Sequence, residues 1–289
     1  MTVSRVTLVV AVLVALLPLL GLWVAAFDSL GIVAPYVCLG LLAVAQVGRR
    51  MGRAWRGLAL FAGLVGLVPA LTSLGPARAA PEGAVVRLLQ HNIHYMNEAA
   101  ALAARLEAYD IATLQEVHVA RRALSGLPAD WFVATCPRPR EVSAAVVSRL
   151  PVLASGCLTE GEPWVQVETP RGPLTVVSVH LFWPWPYRND RQFAQVTRLA
   201  TEIAALPRPV AVGGDFNQMP WSGTMARLEQ ASGSGVLPGL RATFLMAGGA
   251  VRLPIDHLLL PEGWPATATV GDLSGSDHHS VSVEIGMEP

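Results

Sequence analysis

The sequence predicts a chain in two parts: three membrane-spanning helices, then one α/β domain of two packed, mostly antiparallel β-sheets flanked by helices, a four-layer sandwich. Three observations lead there. The 289 residues are 52% hydrophobic and only 15% charged, too apolar for an ordinary soluble domain. That excess is concentrated in three runs that end near residue 75. Beyond them strand-like and helix-like runs alternate, with hairpin signals in the middle, which is the pattern of two sheets with helices outside.

The apolar runs cover about 6–27, 30–48 and 57–75. At about 1.5 Å of rise per residue, a run of this length matches the roughly 30 Å hydrocarbon thickness of a bilayer. None carries the polar stripe of a helix in a soluble bundle. Arg49, Arg50, Arg53 and Arg56 lie between the second and third runs, whereas the first loop offers only Asp28. Because arginine is retained on the cytoplasmic side, the arginine loop and Arg5 face inward and everything after the third run faces outward. Small residues at Ala77, Ala79 and Ala80 suggest a signal-peptide cleavage site after the third run, but its long core and the two preceding runs favour a span. The expected location is therefore the cell membrane, multi-pass, with the second part extracytoplasmic, periplasmic or extracellular. The bilayer is the expected partner, and no obligate protein partner is evident.

Residues 1–81 contain six Arg and one Asp, net +5, and residues 82–289 contain fifteen Arg and twenty Asp or Glu, net −5, so the overall neutrality is a cancellation. The chain has no Lys. An acidic second part lacks the broad basic footprint that grips long nucleic acid, although Arg188, Arg191 and Arg198 could supply part of a phosphate-facing surface. Cys136 and Cys157 fall in the exported part, where a disulfide is permitted; two buried thiols are the alternative.

Residues 76–83, rich in Pro, Gly and Ala, read as a linker to a domain over 84–289. A strand over 85–93 is followed by a helix with Asn97 as N-cap, ending near Tyr109, and by a short buried strand over 111–114. Strands follow at 131–135, 143–148, 152–158 and 164–168, and the turn at Pro170, Arg171, Gly172 and Pro173 leads into a strand over 174–180. A helix over 189–206, a strand over 209–214, a helix capped by Ser222 and strands over 251–260 and 281–285 complete the domain.

Five polar clusters sit at strand ends, Asn92 in LLQHNI, Glu116 in TLQEV, His180 in VVSVHL, Asp215 and Asn217 in VGGDFN, and Asp277 with His278 in GSDHHS, and a sixth, Asp256, lies in LPIDHLLL. Carboxylates of this kind hold a hard cation, an acid or base orients water, and neutral or cationic donors stabilise charge on phosphate oxygens. Gly213 and Gly214 allow a sharp backbone turn before Asp215. The run at Phe182, Trp183, Trp185 and Tyr187 is a rigid aromatic loop, either a stacking platform beside the strand end or a cover for the core. His91 and His94 form an HxxH pair without the HExxH or cysteine context of a zinc site.

Across about 85–286, these six clusters in this order resemble the endonuclease/exonuclease/phosphatase superfamily. The resemblance implies a phosphoester hydrolase, of phosphodiesterase or nuclease type, that uses Mg²⁺ or Mn²⁺. Glu116 would be the principal metal ligand, with Asn92 positioning the metal or Glu116, and Asp277 close to the metal. Asp215 would align the attacking water, and Asn217 and His180 would face the phosphate. His278 would donate to the phosphate with Asp256 orienting its ring, while His257 and His279 have no matched role. The substrate would be a nucleic acid or a phospholipid headgroup. A catalytically silent, membrane-bound scaffold of the same fold is the alternative.

Overall fold

The computed structural model describes residues 4–48, 51–97, 101–137, 143–184 and 189–288. One six-stranded sheet contains β1 (Val85–Asn92), β2 (Ile111–Gln115), β3 (Phe132–Thr135), β4 (Ala144–Ser148), β13 (Ala266–Val270) and β14 (Val281–Gly286), in the order β13-β14-β1-β2-β4-β3. The other holds β5 (Val152–Cys157), β6 (Pro163–Thr169), β7 (Gly172–His180), β8 (Val210–Asp215), β9 (Ser234–Val236) and β12 (Asp256–Pro261), in the order β5-β6-β7-β8-β12-β9. Both are mixed: β1 with β2 and β7 with β8 pair in parallel, and the other pairs are antiparallel. β10 (Phe244–Met246) and β11 (Val251–Leu253) form a separate hairpin.

Apolar side chains on both faces of these strands produce the layering. Leu88, Val146, Val176, Ala211, Leu258 and Val283 fill the space between the sheets. On the outer face of the first sheet, α5 (Leu102–Leu106) and α6 (Arg121–Ser125) set Leu102, Leu106 and Leu124 against Leu89, Ala112 and Val147. On the second, α7 (Asn189–Ala204) and α8 (Gly223–Ser232) set Val196, Leu199 and Leu228 against Val177, Val179 and Val212. Because both faces are covered, β2, β4 and β8 are buried at every residue, which is why they read as continuous apolar runs rather than alternating ones.

Several local expectations change. The strand foreseen over 251–260 is two, because Pro254 has no N–H to offer a ladder and separates β11 from β12. The helix foreseen from Asn97 is observed as the five residues of α5, with Ala101 at its N-cap, while the Asn97 amide donates to the Ser274 carbonyl. β9, β10 and β13 have no strong sequence signal, the first two being three residues long and β13 a small-residue ATATV run. Ser222 does cap α8, accepting from the Met225 N–H at 3.1 Å. Cys136 and Cys157 are joined by a disulfide that ties the end of β3 to the end of β5.

The N-terminal part contains α1 (Arg5–Leu16), α2 (Ala25–Ser29), α3 (Ala34–Val47) and α4 (Arg53–Thr72). Among the described residues, α4 alone is a single helix long and apolar enough to cross a bilayer; α3 has 14 residues, and α1 with its following turn is bent by 117° from α2 and its turn. The run at 6–27 is thus not one straight helix. Pro18 opens a 3-10 turn over Leu17–Leu20, and the chain reverses beyond Gly21, so that Asp28 is buried against α8. Residues 76–83 are held against the domain: Arg78 donates to the carbonyls of Gly235, Leu260, Pro261 and Trp264 at 2.7–3.3 Å. Arg49 and Arg50 lie outside the described residues.

Small residues let the three longer helices approach closely. Ala59, Ala62, Gly63, Gly66 and Ala70 form the buried face of α4. A Cβ at Gly66 would stand 2.6 Å from both the Ala15 carbonyl oxygen and the Cys38 sulfur. Gly66→Leu is therefore expected to force α1 and α3 off α4, an overpacking cost of about 1–3 kcal/mol. Cys38 is the one free thiol and is buried, so its maleimide labelling reports the opening. Labelling as slow in Gly66→Leu as in wild type would overturn this account of the packing.

Candidate active site

The two sheets deliver their polar strand ends to one rim. β8 lies between β7 and β12, and its register sets His180 opposite Asp215 on one side and Asp256 opposite Asp215 on the other. In the facing sheet, β1 ends at Asn92 and β2 runs into Glu116, with Asn92 level with Gln115. A cleft of about 530 Å³ opens there, lined among others by Glu116, His180, Asp215, Asn217, Asp277 and His278.

Hydrogen bonds connect these groups. Asn92 Nδ2 reaches Glu116 Oε1 at 3.0 Å and Asp215 Oδ2 at 2.9 Å, while its Oδ1 accepts from the His94 N–H at 3.0 Å. Asn92 thus brackets the two carboxylates through its side-chain NH₂. The other Glu116 oxygen accepts from the Tyr95 N–H at 2.7 Å. His180 Nε2 lies 3.6 Å from Asp215 Oδ2 and 3.9 Å from Glu116 Oε1. His278 Nδ1 is 2.7 Å from Asp256 Oδ2, and its Nε2 is 3.7 Å from Asp215 Oδ2. Asn217 donates its backbone N–H to Asp215 Oδ1 and its side-chain amide to the Leu181 carbonyl, so one of the donors expected to face phosphate is committed to backbone.

Two groups bring one ligand atom per residue within 4.8 Å of one another: Glu116, His180 and Asp215, and Asp215, Asp256 and His278. The first combines two carboxylates at an open cleft, a donor set that fits a divalent cation. Asn217 Oδ1 adds a buried oxygen that accepts no hydrogen bond among the described residues. Asp277 lines the same cleft but is exposed and outside both tight groups. Glu116 and Asn217 adopt left-handed backbone angles, φ 60° and 50°, which L residues occupy at a cost of about 1–3 kcal/mol and only where the surroundings enforce it.

The electrostatics separate the acid from the base. Burial raises the Asp215 pKa to about 7, although the His278 cation works against it. His278 would be lowered by burial, but the Asp256 and Asp215 carboxylates outweigh that and raise it to about 10. Asp256 is pushed up by burial and held down more strongly by the His278 cation and its hydrogen bond, ending below the ordinary carboxylate value. The triad thus has a cationic imidazole beside a carboxyl that titrates near neutrality.

Some contributors carried no recognisable signal in the sequence. Beneath the cleft, Gln90 and Gln115 exchange hydrogen bonds, Thr113 donates to Gln90, and Gln115 donates to Ser178 on the facing sheet. Gln115 directly precedes Glu116 in the TLQEV cluster, but only the structure shows it bridging the sheets. Gly213 and Gly214 lie within β8 rather than in a turn; a Cβ at Gly213 would stand 2.3 Å from Thr113 Oγ1, and one at Gly214 2.2 Å from the Val179 oxygen, so close approach is what requires them. His91 is buried behind the cleft, bonded through Nε2 to the His278 carbonyl and through Nδ1 to Arg105. Of the aromatic run, Trp183 contacts Phe244 edge-on and both line the cleft; Trp185 and Tyr187 lie outside the described residues, as does Arg188. Arg191 lines the cleft over the Phe182 ring, whereas Arg198 pairs with Glu160. His257 is buried with Nε2 on the Gln218 carbonyl, and His279 bonds to the Gly271 carbonyl.

Comparison with known proteins agrees with this fold. The sequence profile described as "Endonuclease/Exonuclease/phosphatase family" matches residues 89–278. No curated protein matches the chain significantly. TDP2 from D. rerio in complex with a single-strand DNA product superposes with a TM-score of 0.57 at 14% identity, covering 71% of this chain and 100% of that one. Beta toxin from Staphylococcus aureus with bound magnesium ions gives 0.54 at 11% identity, over 69% and 99%. An endonuclease/exonuclease/phosphatase from Beutenbergia cavernae gives 0.52 at 16%, over 70% and 71%. At these identities the likeness is one of fold.

Burial lowers His91 and His257 to about pH 4, so both fold neutral. The unfolded chain protonates near pH 6.5, so their contribution is complete above that pH and is lost as pH falls toward 4, up to about 3 kcal/mol each. His278 acts in the opposite sense, its contribution complete below pH 6.5 and lost as pH rises toward 10. Asp215, raised to about 7, gains stability as pH falls from 7 to 5 and so opposes the two histidines, which leaves the difference between proteins as the readout. From pH 7 to pH 5 the unfolding temperature of wild type should fall relative to that of His257→Gln, and identical pH slopes in the two would contradict this.

Proposed function

Since the chain belongs to the endonuclease/exonuclease/phosphatase family and is a metal-dependent phosphoester hydrolase, we propose that it is a membrane-anchored, Mg²⁺- or Mn²⁺-dependent phosphodiesterase or nuclease that works outside the cytoplasm. The observation that carries the reading is the convergence of Glu116, Asp215, His180 and the Asp256–His278 pair on one cleft.

Glu116 and Asp215 are the groups that would hold a divalent ion, with Asp277 beside them at the cleft. When bound, such an ion supplies neutralising charge to phosphate oxygens and makes a nearby water more acidic. The rest is assigned to the chain's own side chains. Asp215, buried at the end of β8, orients the attacking water and accepts its proton. Protonated His278 has its Nδ1 hydrogen committed to Asp256, which leaves its Nε2–H to donate to the phosphate as negative charge grows. His180 faces the same cleft as a second donor, and Asn92 keeps the two carboxylates in register.

Membrane anchoring is supported by the outer surface of the N-terminal helices. Val6, Val10, Leu13, Leu39, Phe61, Leu64, Val68 and Leu71 are exposed, apolar area that water does not favour. Arg5 lies near Trp55 at the start of α4 and Arg56 bonds to Ala45 late in α3, so the arginines gather at one end of the bundle. The end of α4 at the other side meets the α/β domain, where the Gly239 N–H donates to the Ser73 carbonyl. With arginine retained inside, the domain at 84–289 is outside.

Full-length protein with Mg²⁺ should hydrolyse bis(p-nitrophenyl) phosphate, lose activity with a chelator, and regain it with Mg²⁺ or Mn²⁺. Asp215→Asn and His278→Ala should each lower kcat by about 10³-fold. Asp256→Asn removes the largest support for the raised His278 pKa, so the alkaline limb of the rate profile should move to lower pH. Full activity in both Asp215→Asn and His278→Ala would refute the assignment.

A further inference from the structure

The segment between α1 and α3 is more than a connection, because it grips the α/β domain at the helix beside the cleft. Asp28, 3% exposed, accepts the Gly223 N–H at 2.7 Å on one oxygen and the Thr224 N–H at 3.0 Å on the other, at the start of α8. Arg227 on α8 donates back to the Leu22 carbonyl at 2.6 Å, and Trp221 Nε1 donates to the Gly31 carbonyl at 3.0 Å. The fit leaves no slack: a Cβ on Gly223 would stand 2.3 Å from the Leu22 nitrogen.

Ile32 extends this contact to the cleft. It packs in one cluster with Met219, Trp221, Trp183 and Phe244, and the last two form the aromatic wall of the cleft, with the Phe244 ring 4.7 Å from that of His278. Trp23 and Tyr36, on either side of Ile32 in the chain, are 69% and 65% exposed. Exposed Trp and Tyr at the ends of apolar helices mark the membrane–water interface. The cleft wall, which shares this apolar cluster with Ile32, therefore stands near the level of that interface.

We propose that residues 21–32 form a clamp that fixes the cleft at the bilayer surface, with Asp28 as its positioning residue, and that the substrate is a phosphoester in the headgroup of a bilayer amphiphile. This deepens the hydrolase reading and rests on it. The aromatic wall receives the apolar part of the amphiphile next to the bond being cut, while the fixed orientation spares the domain a search over the surface.

The test compares full-length protein reconstituted in phosphatidylcholine vesicles on two substrates: dissolved bis(p-nitrophenyl) phosphate, and a long-chain alkyl p-nitrophenyl phosphodiester embedded in the same vesicles. Wild type should cleave the embedded ester faster. In Asp28→Asn, an amide NH₂ replaces one accepting oxygen, so hydrogen exchange at Gly223 and Thr224 should quicken. Activity on the embedded ester should fall about tenfold, the scale of one charged hydrogen bond, while the dissolved ester is cleaved within about twofold of wild type. Arg227→Met, which loses the Leu22 contact and leaves Asp28 intact, should shift the ratio the same way should Asp28→Asn fail to fold. Equal losses on both substrates, or no loss on the embedded one despite faster exchange, would overturn the clamp. Wild type that cleaves the dissolved ester but not the embedded one would overturn the bilayer substrate and leave the hydrolase standing; wild type inactive on both would remove the hydrolase reading and this proposal together.

Discussion

The register of β8 against its two neighbours is the constraint on which the site rests. Parallel pairing with β7 puts His180 level with Asp215, and antiparallel pairing with β12 puts Asp256 level with it from the other side. Because side chains alternate between faces, a slip of one residue in either pairing would turn a site residue away from the cleft. The apolar runs on both faces of β8 prevent that slip, since it would also expose Val210 and Val212 or drive them into the wrong layer. Packing energy in the core thus maintains a polar arrangement that would be unfavourable alone.

Charge is the second constraint, and burial gives it force. Asp215, Asp256 and His278 are each nearly withdrawn from solvent, where an unpaired charge is costly. The 2.7 Å contact between His278 and Asp256 settles which of them are ionised, and it leaves Asp215 as the group whose protonation is easily changed. Water alignment and phosphate contact are thereby divided between neighbours on one rim. The left-handed backbone at Glu116 and Asn217 shows the same economy: strain is accepted at the cleft because rigid strands on either side hold it.

The N-terminal helices extend this logic beyond the domain. Their contact with one another runs through small residues, and their contact with the domain runs through hydrogen bonds from α8 and Trp221 to Asp28, Leu22 and Gly31. With Arg78 also bonded to four carbonyls, the stretch between helices and domain is a fixed joint in place of a flexible tether.

Much of this was legible in the amino-acid order, for a physical reason. Strands buried on both faces must be largely apolar, so a lone Asn, Glu, His or Asp at the end of such a run stands out, as Asn92, Glu116, His180 and Asp215 do, whereas Asp256 and Asp277 with His278 were marked by their place in the order of clusters that the family resemblance carries. The apolar runs were visible for the same reason, although not that Pro18 and Gly21 would bend the first of them. What sequence could not reveal depends on partners distant in the chain. Asn92 as a bracket between Glu116 and Asp215, Gly213 as room for Thr113 of the facing sheet, the Gln115–Ser178 link between the sheets and Asp28 on a helix nearly two hundred residues away are all contacts across layers. Local pattern determines which residues are available at a strand end; only the packing of one layer on another decides which atom each of them meets.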